Sequence, residues 1–178
     1  MKKTIIFLAF LLISFSFSSC EEAEEALGLT KDFTVRVTAN IPVHIDQTSG
    51  DWVSHSNTAV ISIDTDDTHD YLNKIRNIKI NSLSYKIINF NGDPNGEVDA
   101  SFYVENEVSL SNAMVVKPEA DKGTVFKITE TDELSRIANL LKNGKKVTVK
   151  YAGDALCDAA DMNFTVEVKL DAKITVGL

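Results

Sequence analysis

Positive charge is in short supply in this sequence. Its 18 Lys and Arg stand against 26 Asp and Glu, a net charge of −8. A surface of that sign repels phosphate backbones and excludes a nucleic-acid partner. Cysteine is nearly absent, and two residues allow at most one bridge, so this is no disulfide-built scaffold. The three histidines, His44, His55 and His69, are widely spaced, match no zinc pattern and read as ordinary surface or edge residues. No Gly-rich phosphate loop follows a strand, no serine sits in a nucleophile elbow, and no two carboxylates form an evident acid/base couple. The expectation is a non-enzyme.

What the chain does have is alternation. Phe33, Val35, Val37, Ala39, Ile41, Val43 and Ile45 are apolar, and most residues between them are polar, the period-two pattern of a strand with one buried face. Pro42 lacks a ladder donor and puts its stretch at an edge or bend. The same pattern returns from Phe164 to Val176, with shorter candidates at Thr58 to Ile63, Asn77 to Phe90, Val98 to Val104, Val108 to Val116, Thr124 to Ile128 and Lys146 to Ala152. Within Asn77 to Phe90 the apolar parity switches after Ile80, which predicts a β-bulge near Asn81 and Ser82.

Helical periodicity is confined to two places. Leu134, Ile137, Ala138 and Leu141 recur at helix spacing behind Thr131-Asp132-Glu133, and Gly144 is the stop. Thr68 to Arg76 offers about two turns, with Tyr71, Leu72 and Ile75 on one side. Each follows an acidic stretch and precedes a strand, which is either a faint duplicated strand-helix-strand unit or a chance match of residues that caps and strands demand anyway. The fold class is therefore mainly β, an antiparallel sandwich of about 7–9 strands with one or two short helices, in one domain spanning 33–178.

Candidate sites are few. Asn91, Asp93, Asn95, Gly96 and Asp99 resemble the front half of a calcium loop, but Phe102 stands where a bidentate Glu should be. A hairpin turn between the flanking strands accounts for the same Gly, Pro and Asn residues and is the preferred reading, with calcium as the alternative. Asp64, Asp66, Asp67 and Asp70, with His69 among them, read as a helix start that shares an ion with the first loop only if both lie at one end. Trp52 falls in a loop, where it either caps the core, the preferred reading, or forms a binding surface together with Tyr103.

The first residues give an address. Lys2 and Lys3 precede an apolar run from Thr4 to Phe17, shorter than a bilayer span, and small residues then lead into Cys20. This resembles a bacterial lipoprotein lipobox, with Phe17 where the consensus has Leu. The resemblance implies removal of residues 1–19 and acylation of Cys20, with membrane lipid as its partner; several acyl chains make a stable anchor. Glu21, Glu22, Glu24 and Glu25 resemble the acidic export signal of surface lipoproteins in the Bacteroidota, and residues 20–32 read as an acidic, flexible tether.

Losing Lys2 and Lys3 would move the net charge from −8 to about −10. It also leaves Cys157 without an intrachain partner, as a buried, inert thiol. The expected function is that of a non-catalytic outer-membrane lipoprotein, surface-exposed or facing the periplasm, whose sandwich presents loops to a protein or glycan partner. The alternatives are a carrier of a small apolar ligand and a cell-surface hydrolase. No cofactor is expected.

Overall fold

The computed structural model describes residues 28–178. The leader, Cys20, the acidic run at Glu21, Glu22, Glu24 and Glu25, and most of the tether lie outside the described residues. Eight strands follow one another as β1 (Thr30–Ile45), β2 (Val53–Ser62), β3 (Ile75–Gly92), β4 (Glu97–Val104), β5 (Glu107–Val115), β6 (Val125–Ile128), β7 (Lys146–Leu156) and β8 (Met162–Gly177). A 3-10 helix (His69–Lys74) precedes β3, α1 (Val116–Lys122) follows β5, and α2 (Thr131–Gly144) follows β6.

Each stretch predicted from alternation forms a strand, and the strands make two antiparallel sheets, β1-β8-β3-β6 and β2-β7-β4-β5. First and last strands lie side by side, and both sheets draw on strands from all along the chain. That is the connectivity of a jelly roll. β8 sits between β1 and β3 because its alternation is unbroken: Met162, Phe164, Val166, Val168, Leu170, Ala172, Ile174 and Val176 all point into the core. Its polar face carries the ion pairs Arg36–Asp171 at 2.9 Å, Lys86–Glu167 at 3.2 Å and Lys173–Asp32 at 2.6 Å. Pairs this accessible add little stability each but favour one register over its neighbours.

Between the sheets stand Phe102, Tyr85, Tyr151 and Phe164, with ring centroids 5.3–6.2 Å apart along the series. The bulge falls where parity demanded it: the register slips between Ile80 and Ser82, and Asn81, the extra residue, donates from Nδ2 to Asp171 at 2.7 Å.

Four expectations are corrected. The fold begins at Thr30 rather than Phe33, because Asp32 is a ladder residue that accepts from Thr175 Oγ1 at 2.7 Å and so does not belong to the tether. Residues 93–96 are not a hairpin but a crossover between sheets, since β3 and β4 belong to different ones. The segment around Thr68 is a six-residue 3-10 helix that buries none of its side chains. Val116 opens α1 instead of closing a strand; Pro118 lies in the first turn, where its missing N–H costs nothing, and Gly123 closes the helix at φ +63°.

The stop of α2 also differs slightly, because Gly144 is the last helical residue and Lys145 takes the left-handed turn at φ +63°. The 3-10 helix and α2 both carry the chain from one sheet to the other at the same end, though only α2 buries side chains (Ile137, Ala138 and Leu141).

Candidate functional site

Ladder register assigns every loop to one of two ends. Ile45 and Gly92 both pair with Met162, so residues 46–52, 93–96 and 157–161 share one end, the tip. Thr30 pairs with Gly177 at the other end, the base, together with residues 63–74 and α2. The 16 residues of β8 separate the two by about 50 Å.

The tip loops are knitted by buried polar side chains. Thr48, 8% exposed, donates its amide to the Cys157 carbonyl at 2.9 Å and receives the Cys157 amide on its hydroxyl at 3.0 Å. Its hydroxyl donates in turn to Asp158 Oδ1 at 3.1 Å, which also accepts the Gly50 amide at 2.6 Å. Asp93, 3% exposed, accepts the Ala159 amide on Oδ2 at 2.8 Å and the Asn95 amide on Oδ1 at 2.9 Å. Those donors hold its carboxyl below the usual carboxylate range. Gly92, at φ +127°, lets the chains meet: a Cβ there would stand 2.0 Å from the Asp161 carbonyl.

Both Asp93 oxygens are thus spent on backbone amides, and Asp99 sits in the β4 ladder opposite Ala113 and Asp154. Asn91 pairs with Asn163 on β3, while Asn95 is exposed. These contacts hold the shape of the turn. The acidic stretch from Asp64 to Asp70 lies at the far end of β3, so the two loops share no ion. There His69 Nδ1 contacts Asp64 Oδ1 at 2.8 Å, which raises the His69 pKa.

Trp52 stands at the tip with 48% of its surface exposed, so it does not cap the core. Tyr103 is on the outer face of its sheet, five residues along β4 from Val98 and under Lys150 Nζ at 4.1 Å from its ring centroid. Trp52 precedes Val53, which shares a ladder position with Val98 through Ala155, so roughly 20 Å separates the two aromatics and they form no common platform. Cys157 is 1% exposed, has no disulfide partner among the described residues, and has its thiol pKa pushed up by burial, as expected of an inert core residue.

Two arrangements escaped the sequence reading. His44 and Asp46 leave β1 beside Asp161 and Asn163 entering β8, and the ligating atoms of His44, Asp46 and Asp161 lie within 4.8 Å of one another. His44 Nδ1 contacts Asn163 Oδ1 at 2.7 Å and Nε2 contacts Asp46 Oδ1 at 3.1 Å, which raises its pKa. The signal was the pair of polar i,i+2 spacings at the ends of paired strands. His55 is half-buried on β2 beside Tyr151, ring centroids 5.7 Å apart. Neither of its ring nitrogens has a hydrogen-bond partner, nor has the Tyr151 hydroxyl; burial lowers the His55 pKa and raises that of Tyr151.

No family model matches the sequence, and no curated protein does. Among solved structures it is similar to a decameric BFDV capsid protein, with a TM-score of 0.43 and 9% identity over 81% of this chain and 99% of that one. The 60-mer of the BFDV capsid protein gives 0.35 and 8% over 84% and 96%, and Desmodium yellow mottle tymovirus gives 0.29 and 10% over 81% and 84%. The chain's own strand order defines its class: a mainly β, eight-stranded jelly-roll sandwich.

Proposed function

We propose that this protein is a non-catalytic lipoprotein, anchored in the outer membrane through acylated Cys20 and exposed at the cell surface, that presents its tip to a protein or glycan partner. The observation that carries this reading is the opposition of ends. Described chain enters at the base, at Thr30, while three cross-bonded loops and the half-exposed Trp52 lie about 50 Å away along β8. A tether at the base would hold the tip outward, and loops fixed by Asp93, Thr48 and Asp158 lose little conformational freedom on binding. The acidic run after Cys20 supports surface export over a periplasm-facing orientation.

The test is site-specific photo-crosslinking on living cells. A crosslinker at Trp52 is expected to capture a specific partner that the same group at Asp67, at the base, does not. Equal or empty capture from both positions would sink the reading. Protease shaving of intact cells is expected to remove the domain; full protection would reverse the orientation.

A further inference from the structure

Near the tip, a groove of about 440 Å³ opens among β1, β8 and the end of β3 in the first sheet and Asn57 on β2 of the second; Pro42, His44, Asn89, Asn163 and Thr165 line it together with Val43 and Phe164. Register explains the hollow. His44 faces Asn163 and Pro42 faces Thr165, while on the other side of β8 the β3 ladder slips between Ile88 and Asn91, leaving Asn89 in a left-handed turn at φ +56°.

The lining chemistry is selective. Among the described residues no Lys, Arg, Asp or Glu lines the groove, and the titratable side chain that does, His44, is paired with Asp46. Asn163 Oδ1 is taken by His44 Nδ1 at 2.7 Å, and Asp46 holds the other side of that ring at 3.1 Å. The Asn163 amide is thereby fixed with its NH₂ free to donate. The side chains of Asn57, Asn89 and Thr165 make no hydrogen bond to another described residue, so two amides and a hydroxyl offer both donors and acceptors. Pro42 adds a flat apolar ring. An anion would want a Lys or Arg here and a fatty chain a dry wall. Amide and hydroxyl groups beside Pro42, Val43 and Phe164 instead suit a ring that carries hydroxyls on its edge and C–H groups on its face.

We propose that this groove binds the ring of a neutral sugar, which gives the partner of the tip a chemical class and rests on the display reading above. The test is an array of neutral and acidic oligosaccharides probed with the full lipidated chain in detergent, followed by titration of the best neutral glycan. Asn163→Ala and Thr165→Val are each expected to weaken binding at least tenfold. Asn89→Gly, which keeps the positive φ, is expected to do the same, while Tyr103→Ala changes nothing.

An array that is blank, or that responds only to acidic glycans, overturns the proposal, as does an affinity the groove variants leave unchanged. Melting temperatures within a few degrees of the parent certify that Thr165→Val and Asn89→Gly are folded. A blank array alongside Trp52-dependent capture of a protein on cells removes the sugar groove and leaves the display reading standing; loss of both removes both.

Discussion

Removing the Asp93 carboxylate is expected to destabilise the domain by about 2–4 kcal/mol, because one side chain satisfies two backbone amides from two different loops. Asp93→Ala strands the Ala159 amide, bonded at 2.8 Å, and the Asn95 amide, bonded at 2.9 Å. Each orphaned donor costs about 1–3 kcal/mol, less where water reaches the gap. Asp93→Asn keeps one acceptor oxygen but turns an NH₂ toward the other donor, so its cost is intermediate. The assay is urea unfolding of both variants, with stability taken from the midpoint at constant slope.

Acid adds a second readout. The folded-state pKa of Asp93 lies below its ordinary value of 3.8, so its contribution is present above about pH 4 and fades as pH falls through the folded value. The gap between parent and Asp93→Asn is therefore expected to narrow between pH 5 and pH 2. A loss under about 0.5 kcal/mol for Asp93→Ala, or a gap that acid does not narrow, would refute the reasoning.

Three further outcomes follow from the same geometry. Gly92→Ala drives a methyl to 2.0 Å from the Asp161 carbonyl in a backbone conformation Ala resists, and is expected to cost more than about 2 kcal/mol in urea unfolding. Tyr151→Phe removes a buried hydroxyl without a partner and is expected to leave stability unchanged or raise it by about 1 kcal/mol; a clear loss would mean the hydroxyl is bonded. His55, with its pKa lowered by burial, is stabilising as a neutral ring, so its contribution is present above its ordinary value of 6.5 and is lost as pH falls through the lower folded value. Thermal melts of His55→Leu are expected to fall less steeply than the parent's across that interval, a comparison that leaves His44 and His69, both with raised pKa values, the same on each side.

Strand positions were legible because each needs only its own residues: Phe164 to Val176 alternates without a break and becomes the strand that joins β1 to β3. Even the bulge at Asn81 was visible, since a parity switch inside one strand has few other solutions. The start of α1 was hidden because Val115 and Val116 extend the apolar run of β5; the clue lay in Pro118 followed by acidic Glu119 and closed by Gly123. The crossover at 93–96 uses the same Gly, Pro and Asn residues as a hairpin, so composition does not separate the two.

The tip network was out of reach for a different reason. Thr48 and Asp158 are 110 residues apart, and nothing local marks either as the other's partner. The groove likewise joins β1, β8 and the slipped part of β3, so it becomes visible only once the register is known.

The central claim is that anchor and tip lie at opposite ends, and Trp52, the only tryptophan in the chain, reports on it directly. With the chain acylated at Cys20, as proposed, and reconstituted into vesicles containing brominated lipids, Trp52 fluorescence is expected to remain unquenched by the bilayer while aqueous acrylamide quenches it. Strong quenching by the brominated lipids would put the tip against the membrane and contradict the account.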